Sequence, residues 1–140
     1  MSDGGGSRVD ARALEAEARR VLGKFPLVKP SISAGGVAAA LVSASGRVYT
    51  GINLDLACGI GTCAEHSAIA EMLKARETVV RAIIAIDDEG ILAPCGRCRE
   101  LLVQVDHRNL DCEVILPGAT SARLEELLPR AWLEPLLARR

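Results

Sequence analysis

An α/β domain is the fold class that the sequence predicts. Ala82 to Ile86 is a continuous aliphatic run, the pattern of a central strand buried on both faces. About thirty residues separate Cys63 from Cys95, enough for a helix, a strand and a return, which makes a βαβ crossover. Between such runs, apolar residues recur at helical spacing.

Composition supports a packed core. The chain has 140 residues, 49% of them hydrophobic, which suggests one domain. Only 2% are aromatic, so aliphatic and alanine packing must make the core. Net charge is −1. A protein that tracks a phosphate backbone usually carries a basic patch, so nucleic acid is not expected as a partner. No signal peptide and no apolar run long enough to cross a membrane is evident. Five cysteines is an odd number, and three have a better use as metal ligands, which fits a reducing cytoplasm. Cys58 and Cys112 are left over and are expected to be small buried hydrophobes.

Residues 1–9, with three consecutive glycines, are expected to be a disordered lead, and 10–140 a single domain. Asp10 can cap a helix from about Ala11 to Leu22. Leu14, Ala18, Val21 and Phe25 would give it one apolar face, and Gly23 and Pro26 end it. Val37 to Val42 and Arg47 to Ile52 read as a hairpin around Ser43-Ala44-Ser45-Gly46. A helix from about Cys63 to Lys74 should turn Ile69, Met72 and Leu73 to the core. Asp87-Asp88-Glu89-Gly90 reads as a solvated turn. A further helix from about Gly96 carries Leu101, Leu102 and Val105 inward, with His107 at its end. Glu113 to Leu116 is a short strand. Leu124, Leu127 and Leu128 make a helical turn that Pro129 stops, and Trp132 begins an amphipathic tail.

The chemistry sits at two helix starts. Thr62-Cys63-Ala64-Glu65 and Pro94-Cys95-Gly96-Arg97-Cys98 read together as a three-thiolate zinc site with a carboxylate beside it. Three cysteine ligands leave a fourth position for water, as catalytic zinc sites do. The metal lowers the pKa of that water, and Glu65 can carry protons between it and a leaving group. Two residues apart is not one face of a helix, so Cys63 and Glu65 can share a metal only if it lies off the first turn. A lone CxxC would equally suit a redox pair or a structural zinc knuckle. Two parallel crossovers would bring both helix starts to one sheet edge, where such folds bind ligands.

Through Cys63-Ala64-Glu65 and Pro94-Cys95-Gly96-Arg97-Cys98-Arg99 the chain resembles the small, homotetrameric, zinc-dependent cytidine deaminases and their relatives the blasticidin-S deaminases. The likeness runs from about Ala34 to Trp132 and includes Gly46-Arg47-Val48-Tyr49-Thr50-Gly51 and Glu126-Leu127-Leu128-Pro129. It implies a three-layer α/β/α sandwich with a five-stranded mixed sheet, and one zinc per subunit on Cys63, Cys95 and Cys98. It also implies hydrolytic deamination at C4 of a cytosine ring. Glu65 would shuttle the proton to N3 and help ammonia leave, while the Ala64 backbone holds the ring.

Departures from the family pattern bear on substrate. Asn53 matches the family's Asn-x-Glu sugar-binding pair, whereas Asp55 is one methylene short. The family's aromatic before the first strand falls on Gly35. An arginine that neutralises the three-thiolate site in many relatives is His66 here, which leaves Arg99, then Arg97, as candidates for that task. Trp132 falls where the family's aromatic reaches a neighbouring subunit's site. The resemblance thus implies a cytosine nucleoside as substrate, with a blasticidin-S-type or otherwise modified cytosine nucleoside as the alternative. A non-catalytic zinc-stabilised binding module is the reading of another class, and Glu65 weighs against it.

Overall fold

The computed structural model describes residues 9–139. Residues 1–8 of the expected lead lie outside that range. Val9, its last residue, is half-buried and packs against the core.

Helix α1 spans Ala11–Val21. Asp10 caps it by accepting from the Arg12 and Ala13 N–H groups at 3.0 and 3.3 Å. Leu14 and Ala18 are buried, while Val21 is largely exposed. Phe25 does not continue this face. The Gly23 N–H donates to the Gly35 carbonyl, which pulls the chain out of the helix and into β1 (Phe25–Pro26), where Phe25 is exposed.

Strands β2 (Ser33–Ser43) and β3 (Val48–Asp55) form the expected hairpin. Helix α2 covers Ala64–Lys74, followed by β4 (Val80–Asp87), β5 (Gly90–Leu92) and α3 (Gly96–Val105). His107 does not end α3; it opens a separate 3-10 turn, His107–Asp111. Strands β6 (Glu113–Leu116) and β7 (Thr120–Arg123) and short helices α4 (Leu124–Leu127) and α5 (Glu134–Leu137) complete the chain.

The main sheet runs β3-β2-β4-β6-β7. It is mixed: β4 and β6 are parallel and the other neighbours antiparallel. The expected five strands gain two short additions, β1 on the start of β2 and β5 on the end of β4, which makes seven. Because β3 and β4 are both antiparallel to β2, they run parallel to each other. Helices α2 and α3 are therefore both crossovers, and their N-termini meet at the same end of the sheet.

Alternation along β2 builds the three layers. Ala39 and Leu41 join α2 and α3 residues such as Ile69, Met72 and Leu102 in one core. Ala38 and Ala40 join Leu14 and Ala18 of α1 in the other. The buried run Ala82–Ile86 feeds both, as a strand covered on two faces must. Leu73, expected inside, sits toward solvent at the outer side of α2. No helix among the described residues is long and apolar enough to cross a membrane.

Candidate active site

The end of β3 places the first ligand. Leu54 and Thr62 exchange backbone hydrogen bonds at 2.9 and 3.1 Å, closing the loop between them. Gly61 makes this closure possible, because a Cβ there would run into the Leu54 carbonyl. The chain then enters α2 with Cys63 as the N-cap and Glu65 in the first turn. On the neighbouring crossover Cys95 is the N-cap of α3 and Cys98 lies one turn in. Neither cysteine cap uses its side chain to hold the helix, so both sulfurs remain available.

The three sulfurs converge within 4.8 Å of one another. Cys63 Sγ is 3.5 Å from Cys95 Sγ, which is 3.7 Å from Cys98 Sγ. Tetrahedral zinc with sulfur at about 2.3 Å asks for sulfurs about 3.8 Å apart. Burial grades the three: Cys98 is fully buried, Cys63 intermediate and Cys95 exposed. Burial pushes the Cys98 and Cys63 thiols up, Cys98 by far the more. Burial opposes ionisation of Cys95 too, but hydrogen bonds from the Cys98 and Arg97 backbone and from the two other sulfurs outweigh it and hold Cys95 low. A thiolate at Cys98 therefore calls for a cation beside it, and the donor set fits zinc.

Glu65 is 4% exposed, and its carboxyl opens onto the same cavity. Burial raises its pKa; its own backbone N–H and the Cys98 thiol act the other way. The cavity measures about 370 Å³ and is walled by Val37, Leu54, Ala85 and Leu92, with Asn53, Asp55, Ala64 and Arg97 on its lining as well. No aromatic side chain lines it among the described residues.

Asn53 and Asp55 both line the cavity. Asn53 Oδ1 accepts from the Val37 N–H at 2.8 Å, bridging the register shift in β2 between Ala34 and Ala38. That bond fixes the amide's orientation and uses one lone pair of the oxygen, with the NH₂ available to donate to a ligand. Gly35 lies inside the same irregularity at φ +83°, and a Cβ there would strike the Gly23 carbonyl. No aromatic residue can stand at this position, so Val37 forms the wall instead. Sequence reading missed Val37; the Ala34-Gly35-Gly36 break before it was the available signal.

The cationic candidates separate. Arg97 lines the cavity and reaches the Gly61 carbonyl at 3.5 Å. Arg99 does not line it; its Nε and Nη1 donate to the carbonyls of Pro94 and Leu127, each at 3.0 Å. His66 Nε2 is buried without a hydrogen-bond partner among the described residues, and burial first, then the Arg97 charge, lowers its pKa. Trp132 is 65% exposed and lies off the cavity lining. Cys58, expected to be buried, is exposed at φ +60° in the loop before Gly59. Cys112 is buried as expected.

Residues 26–113 match the cytidine and deoxycytidylate deaminase zinc-binding region. A cytidine deaminase of Mycobacterium tuberculosis is 35% identical over 97 residues, 68% of this chain and 70% of that protein. The chain belongs to the cytidine and deoxycytidylate deaminase family. Solved structures agree: the cytidine deaminase of M. tuberculosis superposes with a TM-score of 0.75 at 28% identity, covering 89% of this chain and 98% of that one. The cytidine deaminase of Mycobacterium leprae gives 0.74 at 27% identity, covering 88% and 100%. This deaminase is accordingly a zinc-dependent aminohydrolase, and the family's zinc-binding region contains all three clustered sulfurs.

Proposed function

We propose that the protein hydrolytically deaminates a cytosine nucleoside of the cytidine or deoxycytidine type, giving the uracil form and ammonia. The observation that carries this reading is the buried Glu65 carboxyl opening onto one cavity with the three-sulfur cluster. Zinc, when bound, supplies Lewis acidity and brings a water's pKa near neutrality.

The other roles belong to the chain's own residues. Cys63, Cys95 and Cys98 hold the metal. Glu65 would take a proton from the water and pass it to ring N3, then take the proton of the hydroxyl added at C4 and pass it to the leaving amino group, which departs as ammonia. The Ala64 backbone, in the first turn of α2 where N–H groups lack helical partners, orients the base. Asn53 donates through its NH₂ and Asp55 accepts, a pairing that suits a sugar hydroxyl at the rim. Arg97 supplies positive charge at the cavity wall.

A second reading, deamination of a modified cytosine nucleoside such as blasticidin S, is favoured by one observation. The cavity wall is aliphatic, and the position of the family's aromatic is closed to any side chain. In both readings the protein is a cytoplasmic single domain over 10–140 and a homotetramer, with Trp132 serving a neighbouring subunit. Exposed apolar residues including Val28, Ile60 and Trp132 support subunit contacts. Net charge of −1 supports a small-molecule substrate over nucleic acid.

The test is ammonia release from cytidine, deoxycytidine and blasticidin S by the zinc-loaded protein, beside Glu65→Gln. Turnover of cytidine or deoxycytidine that Glu65→Gln abolishes supports the first reading; turnover of blasticidin S alone moves the protein to the second. Zinc-loaded protein inert on all three would overturn both. Light scattering of the eluting species checks the tetramer.

A further inference from the structure

We infer that Arg99 is a positioning residue that clamps the Cys95 end of the metal cradle to the C-terminal segment, through the carbonyls of Pro94 and Leu127. The inference rests on the zinc reading of the three sulfurs and goes beyond it.

Of the three ligands, Cys95 is held least by packing. Cys98 is fully buried within α3, and Cys63 is partly enclosed, whereas Cys95 is exposed and its side chain caps nothing. On its C-terminal side the Cys95 carbonyl accepts from the Cys98 and Arg99 N–H groups, each at 3.1 Å. On its N-terminal side the Pro94 carbonyl is taken by Arg99 Nε at 3.0 Å. Arg99 thus fastens the peptide that enters Cys95 from one turn further along the same helix.

The guanidinium also reaches outward. Its Nη1 donates to the carbonyl of Leu127 at the end of α4. Terminal carbonyls of a helix have no partner of their own, so this bond satisfies one of them. Leu127, Leu128 and Leu133 pack against the same core as α3, and the chain turns at Arg130, φ +56°, to present Trp132. One planar cation therefore ties the metal loop to the segment bearing Trp132. A cation in the first turns of α3 opposes the helix dipole, so helix stability does not account for its placement. The fork geometry does: two donors at fixed separation meet two carbonyls from distant parts of the chain.

The experiment compares Arg99→Met and Arg99→Lys with the wild-type protein and with Arg20→Met, a control on exposed α1. Three quantities are read: zinc release to a chromogenic chelator, the cobalt-thiolate absorption of the metal-exchanged protein, and amide hydrogen exchange over 93–98 and 127–133. A clamp predicts that both Arg99 variants release zinc roughly tenfold faster or more. It predicts an altered cobalt band and exchange that rises in both segments together. Arg99→Lys, which keeps the charge, would not restore the wild-type values.

Rescue of zinc retention by Arg99→Lys would overturn the clamp in favour of a charge role. Faster exchange in one segment only, with zinc release unchanged, would also overturn it. Arg99→Lys keeps the proposal testable if Arg99→Met does not fold. Absence of zinc from the wild-type protein would sink the metal reading separately, and joint or separate exchange of the two segments would still decide the clamp.

Discussion

Gly51 of β3 lies under the turn of α2 from Ala64 to Ala68: a Cβ on Gly51 would stand 2.3 Å from the Ala68 nitrogen and 2.6 Å from the Ala64 carbonyl oxygen. The missing side chain lets the first turn of α2 rest on the strand. Since Cys63 and Glu65 flank Ala64, this contact sets the depth at which ligand and carboxylate enter the cavity. Gly51→Ala should cost about 1–3 kcal/mol of stability, the usual penalty for overpacking. It should also weaken zinc retention by lifting α2. Chemical denaturation and chelator competition measure the two effects, and an unchanged zinc affinity would show that the helix start moves independently of the strand.

Glu65→Gln keeps the shape of a buried side chain and removes its proton-carrying ability. The zinc content should stay at the wild-type level while turnover falls roughly 10²–10⁴-fold. Metal analysis beside ammonia release checks both parts. Loss of zinc together with activity would mean that the Glu65 charge holds the metal rather than the proton.

The three-sulfur cluster was legible in the sequence because its chemistry and its topology coincide. Cys63 and Cys95 each begin a crossover helix, and the spacing between them sufficed to foresee convergence. Other features were not legible, each for a physical reason. Phe25 keeps helical spacing with Leu14 and Ala18, but the Gly23 to Gly35 backbone bond ends the helix first. Cys58 is as small and apolar as Cys112, and only its left-handed turn in an exposed loop distinguishes them. The sequence ranked Arg99 ahead of Arg97 at the site, yet helix phase sends Arg97 to the cavity and Arg99 to two backbone carbonyls.

Asn109 is a polar core residue that periodicity could not reveal. It is fully buried and its hydrogen bonds are met. Oδ1 accepts from the Val80 N–H at 2.8 Å, and Nδ2 donates to the Leu102 and Thr78 carbonyls at 2.9 and 3.0 Å. It joins the end of α3 to the start of β4. Asn109→Leu takes the side-chain partner from the Val80 N–H and the Thr78 carbonyl, while the Leu102 carbonyl keeps the Asp106 N–H at 3.4 Å; a buried backbone group left unsatisfied costs about 1–3 kcal/mol. We expect at least about 2 kcal/mol of destabilisation by urea unfolding. A loss within error would mean that water replaces the amide.

Removal of zinc should lower the melting temperature as well as abolish turnover. A ligand that binds only the folded state stabilises it by about 2.7 kcal/mol at a hundred times its dissociation constant. Calorimetry with and without a chelator reads the shift. Cys98→Ser should reproduce most of it, since the fully buried ligand is lost, whereas exposed Cys58→Ser should leave both stability and zinc content unchanged. A melting temperature indifferent to chelator would mean that the folded apo cradle binds zinc too weakly to contribute.

Far from the site, Tyr49 donates to the Glu77 carboxylate, linking β3 to the loop after α2. Hydrogen bonds from Tyr49, Ser45 and Ser43 bring the Glu77 pKa down to about 2. In the unfolded chain a glutamate titrates near ~4.3. The folded pKa is the lower one, so this group's stabilisation is complete above the unfolded value. It is lost as pH falls from there toward 2. The wild-type melting temperature should therefore decline across that window, and Tyr49→Phe should flatten the decline while lowering stability at neutral pH. Zinc loss at low pH would confound the comparison, so both proteins are measured as apo forms. Parallel melting curves for the two would mean that the Tyr49 hydroxyl contributes nothing to holding Glu77 ionised.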